Sequence, residues 1–406
     1  MTRDDGWLLS LWLLLVGLIG GLSYVNSNHF TSTDSTYYLS FAGWLVGLDG
    51  DQYGHVSAGW ESTFPVGYPL LIGLMARVTG TSLLVASKLL NLLLIAIFLL
   101  IWRHRIGARR TLWVSSVMLL GGFVRILTYT WSEWPFLLLL VEWLWFVAQP
   151  PELNMLVLKQ VRYVTKLLLL TIGLFLLRYV GGYVVLVYAL LAIHTYRRDS
   201  WTMTRLRRRN DLIYTVSSVL FMLGYFILNS LLTQSPFGGD RFVEITESPT
   251  KIASLVAVAV VNEALILRDF IPGESIWLVV VGLVVQIALI RWIWPGIRGQ
   301  RHTLPNWLPA DREWLRVLLF AGATYLVLLV TLRFFSPFSG PNARLMAPVT
   351  FPLFVFLAVW ISQWTNVVAR RQLGFWWTVL LLGSWLQLLP QVDIWEKLHN
   401  FLSKLT

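Results

Sequence analysis

Long apolar runs separated by short charged connectors dominate this chain. A helix of about 20 residues crosses the hydrocarbon core of a bilayer, and runs of roughly 16 to 20 residues recur to the end. The pattern predicts an all-α polytopic membrane protein with about eleven transmembrane helices, in a range of ten to thirteen. The approximate spans are 7–25, 83–102, 111–127, 135–149, 164–180, 182–196, 212–232, 276–294, 316–334, 345–361 and 375–391. The apolar segment 68–78, after Phe64-Pro65-Val66-Gly67, breaks the alternation if it spans. It is therefore read as a juxtamembrane or re-entrant helix, which is allowed where protein covers its backbone.

Basic clusters orient the spans. Arg103, Arg105, Arg109 and Arg110 form one; Arg197, Arg198, Arg205, Arg207, Arg208 and Arg209 form the next. Arg298, Arg301, Arg312 and Arg316 follow, then Arg370 and Arg371. Placing all four in the cytoplasm puts the N-terminus inside and the C-terminus outside. Two long loops then face outward, 26–82 and 233–275, and loops of that length tend to be functional. In the first, Tyr37, Tyr38, Phe41, Ala42, Trp44 and Leu45 keep helical spacing and mark an amphipathic helix on the membrane. Asp34 stands near its start, where a carboxylate would cap it. Most carboxylates fall on the outer side of this threading.

Composition narrows the class further. The 406 residues are 56% hydrophobic and 13% charged, against about 25% charged in soluble domains. No polar stretch is long enough for a separate domain, so 1–406 is read as one membrane unit. The net charge of +11 sits in short clusters between apolar runs, which excludes nucleic acid as a partner and leaves membrane lipid. The 22 tryptophans suit anchoring at the headgroup level. With no cysteine there are no disulfides, thiolate metal sites or cysteine nucleophiles. The run from Trp7 to Tyr24 is too long for a signal-peptide core and lacks a small-x-small site, so a retained first helix is expected.

Candidate chemistry is sparse. The six histidines are scattered and form no H-E-x-x-H, and neither a Walker loop nor G-x-G-x-x-G occurs. Glu133 falls in a very short outer turn. Glu142 falls within the fourth span, where a charge needs a partner, here expected to be a buried arginine. Lys88, Arg178, Arg241 and Arg344 map near the outer face, with Arg125 and Arg333 as further cations there.

A set of motifs gives these residues a context. Asp34 with Tyr37-Tyr38, Ala42 and Gly47 is followed by Phe64-Pro65-Val66-Gly67-Tyr68-Pro69-Leu70-Leu71. Then come Ala86-Ser87-Lys88-Leu89-Leu90-Asn91, Ser132-Glu133-Trp134-Pro135, Arg178-Tyr179-Val180-Gly181 and Ala343-Arg344-Leu345-Met346-Ala347-Pro348. In order and spacing over 34–348 they resemble the C-type (GT-C) glycosyltransferase superfamily, in the branch of protein O-mannosyltransferases and lipid A aminoarabinose transferases. The resemblance implies a GT-C-like module over 1–234 and more variable C-terminal helices over 235–406. It implies transfer of a sugar from a polyprenyl-phosphate carrier to a glycan, lipid or protein acceptor outside the plasma membrane. Asp34 is implied as general base with Glu133 as auxiliary acid, and Lys88, Arg178, Arg241 and Arg344 as ligands of the donor phosphate. Tyr37, Tyr38, Pro65 and Tyr68 are implied in the substrate pocket.

Ser35 stands where many relatives carry a second acid, so neither a metal site nor another cofactor is expected. The chain also lacks an extended soluble C-terminal domain, which points to a small acceptor or one supplied by a partner. Two other functions fit a many-helix protein with outer arginines: a transporter or flippase of lipid-linked glycans, and a non-catalytic subunit of a polysaccharide assembly complex. Against transport, no inverted repeat or pair of matching broken spans is visible.

Overall fold

The apolar runs fold as helices in a computed structural model that describes residues 3–50, 59–149, 157–196, 201–238, 248–264, 309–335, 342–363 and 367–386, with isolated positions beyond these. In chain order the helices are α1 (Arg3–Val25), α2 (Thr33–Val46), α3 (Gly67–Thr79), α4 (Leu83–Ile106) and α5 (Ala108–Met118). Next come α6 (Gly121–Thr128), α7 (Glu133–Val147), α8 (Val157–Leu177), α9 (Tyr183–Tyr196) and α10 (Trp201–Thr233). α11 (Pro249–Ala264), α12 (Pro309–Arg333), α13 (Ala343–Ser362) and α14 (Val367–Ser384) complete them. No strand occurs among the described residues.

Seven of these helices are long and apolar enough to cross a membrane: α1, α4, α8, α9 with the turn before it, α10, α12 and α13. The all-α polytopic class holds. Most of the expected span 276–294, and Arg241, lie outside the described residues.

One expected span is different. Residues 111–127 form two helices, α5 and α6, bent by 77° at Leu119–Leu120. The break is fastened by the end of α14. Ser384 Oγ accepts from Gly121 N at 2.8 Å, and Trp385 Nε1 donates to the Leu119 carbonyl at 2.7 Å. Freed backbone groups inside a bundle are tolerable when side chains satisfy them in this way. Gly121 is required for the approach, since a Cβ there would lie 2.0 Å from the Ser384 carbonyl oxygen. Apolar periodicity could not show this, because both arms of the bend are buried.

The helix α3 has 13 residues, about 20 Å at helical rise, and is too short to span. It packs between α2 and α4, as the juxtamembrane reading expected. α7 is also short, yet Trp134, Phe136, Leu137, Leu140, Val141 and Trp143 on it are all buried, which makes it the central helix of the bundle.

The helices carry two polar clusters to opposite ends. α4 runs from Lys88 near its start to Arg103 and Arg105 in its last turn. Arg103 pairs bidentately with Asp5 at the start of α1, at 2.6 and 3.0 Å. Arg105 forks onto Glu142 of α7 at 2.9 and 3.1 Å, and Trp102 Nε1 donates to the same carboxylate at 2.5 Å. The expected arginine partner of Glu142 is thus Arg105. The other end of α4 and α7 holds the second cluster.

Candidate functional site

The second cluster begins where α2 begins. Ser32 is the N-cap, and its partner in the capping box is Ser35, whose hydroxyl accepts from Ser32 N at 3.0 Å and donates to the Thr130 carbonyl at 3.0 Å. This corrects the expectation that Asp34 caps its own helix. Ser32 and Ser35 share that task, because a hydroxyl three residues after the cap can accept and donate at once. The Asp34 carboxylate is left for another partner, Arg344 Nη2, at 2.5 Å, with its side chain still 32% exposed.

Glu133 is a second correction. Expected in a very short outer turn, it is the first residue of α7 and only 2% exposed. Its Oε1 accepts from both Arg178 and Arg344. Two guanidinium groups compensate the desolvation that would otherwise expel a buried carboxylate. Oε2 of Glu133 is buried without a hydrogen-bond partner, and so is the Tyr68 hydroxyl.

The two arginines reach Glu133 from breaks in the helices. Arg178 sits between α8 and α9 in extended conformation, φ −153° and ψ 132°. The chain turns there because Gly181 packs on the Leu174 carbonyl, where a Cβ would come within 2.3 Å. Arg344 lies in the first turn of α13, whose cap, Asn342 Oδ1, accepts from Leu345 N at 3.1 Å. The guanidinium carbon of Arg344 also lies 4.3 Å from the centroid of the Trp131 ring.

Lys88 projects from the second turn of α4 and is buried. Its ammonium donates to the Thr128 carbonyl at 2.5 Å, Thr130 Oγ1 at 2.9 Å and, more weakly, the Phe30 carbonyl at 3.4 Å. Phe30 and His29 before it both have positive φ, 53° and 49°, which non-glycine residues rarely adopt. Asn26 Oδ1 holds that turn by accepting from Asn28 N and Phe30 N.

The implied pocket residues converge on the same end. Tyr38 packs on Phe64 at 4.5 Å and on Tyr68 at 5.1 Å, while Tyr37 meets Phe64 at 6.0 Å. Pro65 is buried beside them. The Tyr38 hydroxyl lies 2.8 Å from Ser132 Oγ. Burial, reinforced by the Glu133 carboxylate, pushes the Tyr38 phenol above its ordinary range, and burial does the same for Tyr68. Both phenols are therefore neutral hydroxyls, not bases.

The structure thus gathers Asp34, Glu133, Lys88, Arg178, Arg344, Tyr37, Tyr38, Pro65 and Tyr68 at one end of the bundle. Within it Arg178 and Arg344 share Glu133, Arg344 also meets Asp34, and Lys88 is held by Thr128, Thr130 and Phe30. No cluster of three or more histidine, aspartate or glutamate side chains suited to a metal ion occurs among the described residues. Sequence reading missed Trp131 and Ser32, whose roles depend on contacts made across about a hundred residues of chain. Their only signal was adjacency, to Glu133 and to Asp34.

A polytopic bundle whose first loop packs as two short helices over a charged cluster has the GT-C fold, and the comparison with solved structures bears this out. ArnT from Cupriavidus metallidurans in the apo state superposes with a TM-score of 0.52 at 15% identity, over 92% of this chain and 62% of that one. ArnT from the same organism bound to undecaprenyl phosphate gives 0.54 at 12% identity, over 95% of this chain and 75% of that one. The chain therefore spans somewhat under two thirds of the apo ArnT chain. At such identities the likeness is one of fold. No protein-family model and no curated protein matches the sequence.

Proposed function

We propose that this protein is an integral membrane glycosyltransferase that takes a sugar from a polyprenyl-phosphate carrier and transfers it, with inversion, to an acceptor hydroxyl on the extracytoplasmic side. The observation that carries the reading is Asp34: a partly exposed carboxylate held against Arg344, at the edge of a buried cluster in which Arg178 and Arg344 share Glu133. A carrier-linked sugar is a phosphodiester with a single negative charge, for which the Arg344 guanidinium is a suitable partner. Support for the carrier comes from the fold, since a structure sharing it holds undecaprenyl phosphate.

In this mechanism the acceptor hydroxyl gives its proton to Asp34, and its oxygen forms a bond to the anomeric carbon. The bond from that carbon to the phosphate oxygen breaks in the same displacement, and its electron pair leaves with the carrier phosphate. Fixed cations around the departing phosphate supply the electrostatic stabilisation that usually dominates such sites. Lys88, Arg178 and Arg344 are the cations assigned to it. In the resting protein Arg344 neutralises Asp34; a bound phosphate competes for that guanidinium and frees the carboxylate for the acceptor. Glu133 then keeps Arg178 and Arg344 aligned, an auxiliary role through the arginines. No metal is assigned to the reaction. The residue next to Asp34 is Ser35, whose hydroxyl is occupied in the cap of α2.

The test is transfer by Asp34→Asn in proteoliposomes, with undecaprenyl phosphates carrying hexoses or pentoses as donors and a membrane glycolipid extract as acceptor. Loss of a general base lowers the rate by about 10²–10⁴-fold. Near-normal transfer by the variant ends the assignment. Lipid scrambling without sugar transfer by the unaltered protein replaces it with a flippase.

A further inference from the structure

We infer that Trp131 is a positioning residue that sets Asp34 and Arg344 relative to each other, holding one through the edge of its indole and the other through the face. This rests on the glycosyltransferase reading above. The indole Nε1 donates to Ser32 Oγ at 2.7 Å, and Ser32 caps the helix on which Asp34 is the second residue. The ring face lies 4.3 Å from the Arg344 guanidinium carbon. A cation over an aromatic ring is attracted to the face and constrained in its plane. Arg344 is thus fixed from three sides: by Trp131, by Glu133 on Nε and by Asp34 on Nη2.

The indole itself has little freedom. Its ring is buried and stacks on Tyr129 with centroids 3.9 Å apart and planes 5° from parallel. Tyr129 meets the edge of Phe30, whose carbonyl receives Lys88. A tryptophan serving only as core would need neither its N–H on a helix cap nor a guanidinium on its face. Here both contacts lead to the two members of one ion pair, so a shift of the indole displaces the acid and the arginine together. Misplacement on the scale of an ångström at a reacting centre lowers turnover by about a hundredfold.

Three variants separate the two contacts. Ser32→Ala removes the acceptor of the indole N–H, Trp131→Phe removes the donor and keeps a ring, and Trp131→Leu removes both contacts. Rates are measured per folded molecule, with undecaprenyl-phosphoryl hexose and pentose donors, beside Asp34→Asn. The expected result is a kcat lowered about 3- to 10-fold in Ser32→Ala and in Trp131→Phe, and about 10- to 100-fold in Trp131→Leu. KM for the donor stays within about threefold in all three. The Ser32→Ala/Trp131→Phe double variant is no slower than the slower single variant, because both remove one hydrogen bond.

A purely structural tryptophan lowers the melting temperature and leaves kcat per folded molecule unchanged. That outcome, with Asp34→Asn inactive, overturns the inference alone. An active Asp34→Asn, or an unaltered protein with no transfer, overturns the glycosyltransferase reading and this inference with it. Should Trp131→Leu fail to fold, Ser32→Ala and its double variant decide the matter.

Discussion

Glu133 and Glu142 lie on one helix, nine positions and about 13.5 Å of helical rise apart, and each is paired with arginine. Around Glu142 the arrangement is closed. One carboxylate meets one guanidinium, both of its oxygens accept, and Arg105 lies about equally far from the rings of Trp102 and Trp145, at 5.4 and 5.5 Å. Around Glu133 it is open. One oxygen carries two arginines, the other is buried without a partner, and the pairing runs on through Arg344 to a carboxylate that water reaches. The first cluster pairs one acid with one base and carries no surplus charge. The second holds an accessible acid whose arginine is shared with a buried one, and that difference separates an ion pair of the scaffold from one that can take part in chemistry.

The sharpest way to break this contrast is Asp34→Asn, with transfer reduced about 10²–10⁴-fold and a melting temperature close to that of the parent, because the side chain is a partly exposed one. A melting temperature that collapses together with the rate would make Asp34 structural.

Glu133→Gln comes next. Removing the charge leaves two arginines facing each other in a buried setting, at about 3–5 kcal/mol of stability. Thermal unfolding in detergent and the transfer assay are expected to fall together, unlike Asp34→Asn. An unchanged melting point would show that the arginines find other partners.

The closed cluster is tested by replacing both of its members at once. Glu142→Leu/Arg105→Met removes the pair without orphaning a charge, and such replacements are often neutral, within about 1–2 kcal/mol. Glu142→Gln alone leaves Arg105 half-satisfied and is expected to destabilise by about 1–3 kcal/mol. Transfer per folded molecule should match the parent in both. Loss of transfer in the double variant would place the far end of α7 in the mechanism.

The smallest effect concerns pH. Tyr38 and Tyr68 have raised phenol pKa values in the folded protein, so above pH about 10 only the unfolded chain releases these protons. The stability tied to the neutral phenols is full below that pH and is lost as pH rises past it. Denaturant unfolding between pH 9 and 11 should show a shallower alkaline decline in Tyr38→Phe than in the parent. An equal slope would mean that the phenol is hydrated.

The sequence pattern carried the gross architecture well, since apolar length and arginine placement act locally and additively. It located α1, α4, α8, α9, α10, α12 and α13, and kept 68–78 from being counted as a span. It did not locate the 77° break between α5 and α6, which depends on a serine and a tryptophan from the end of α14. For the site, motif resemblance chose residues most of which the fold brings to one end of the bundle, and local reasoning gave some of them the wrong surroundings. Asp34 looked like a helix cap and Glu133 like a turn acid, because an acid in a short polar segment reads alike in both settings.

The sequence by itself determined an all-α membrane bundle, the position of most of its long apolar helices and the small set of charged residues that the motifs single out. Hydropathy and charge are properties of each segment on its own, so they survive without knowledge of neighbours. Only the tertiary structure decided which charges meet. Arg344 reaches Asp34 and Glu133 across hundreds of residues, and Trp131 reaches Ser32 and Arg344 together. Whether a carboxylate is a cap, a scaffold partner or an available base depends on burial and on what lies within a few ångströms, and both arise only when distant helices pack.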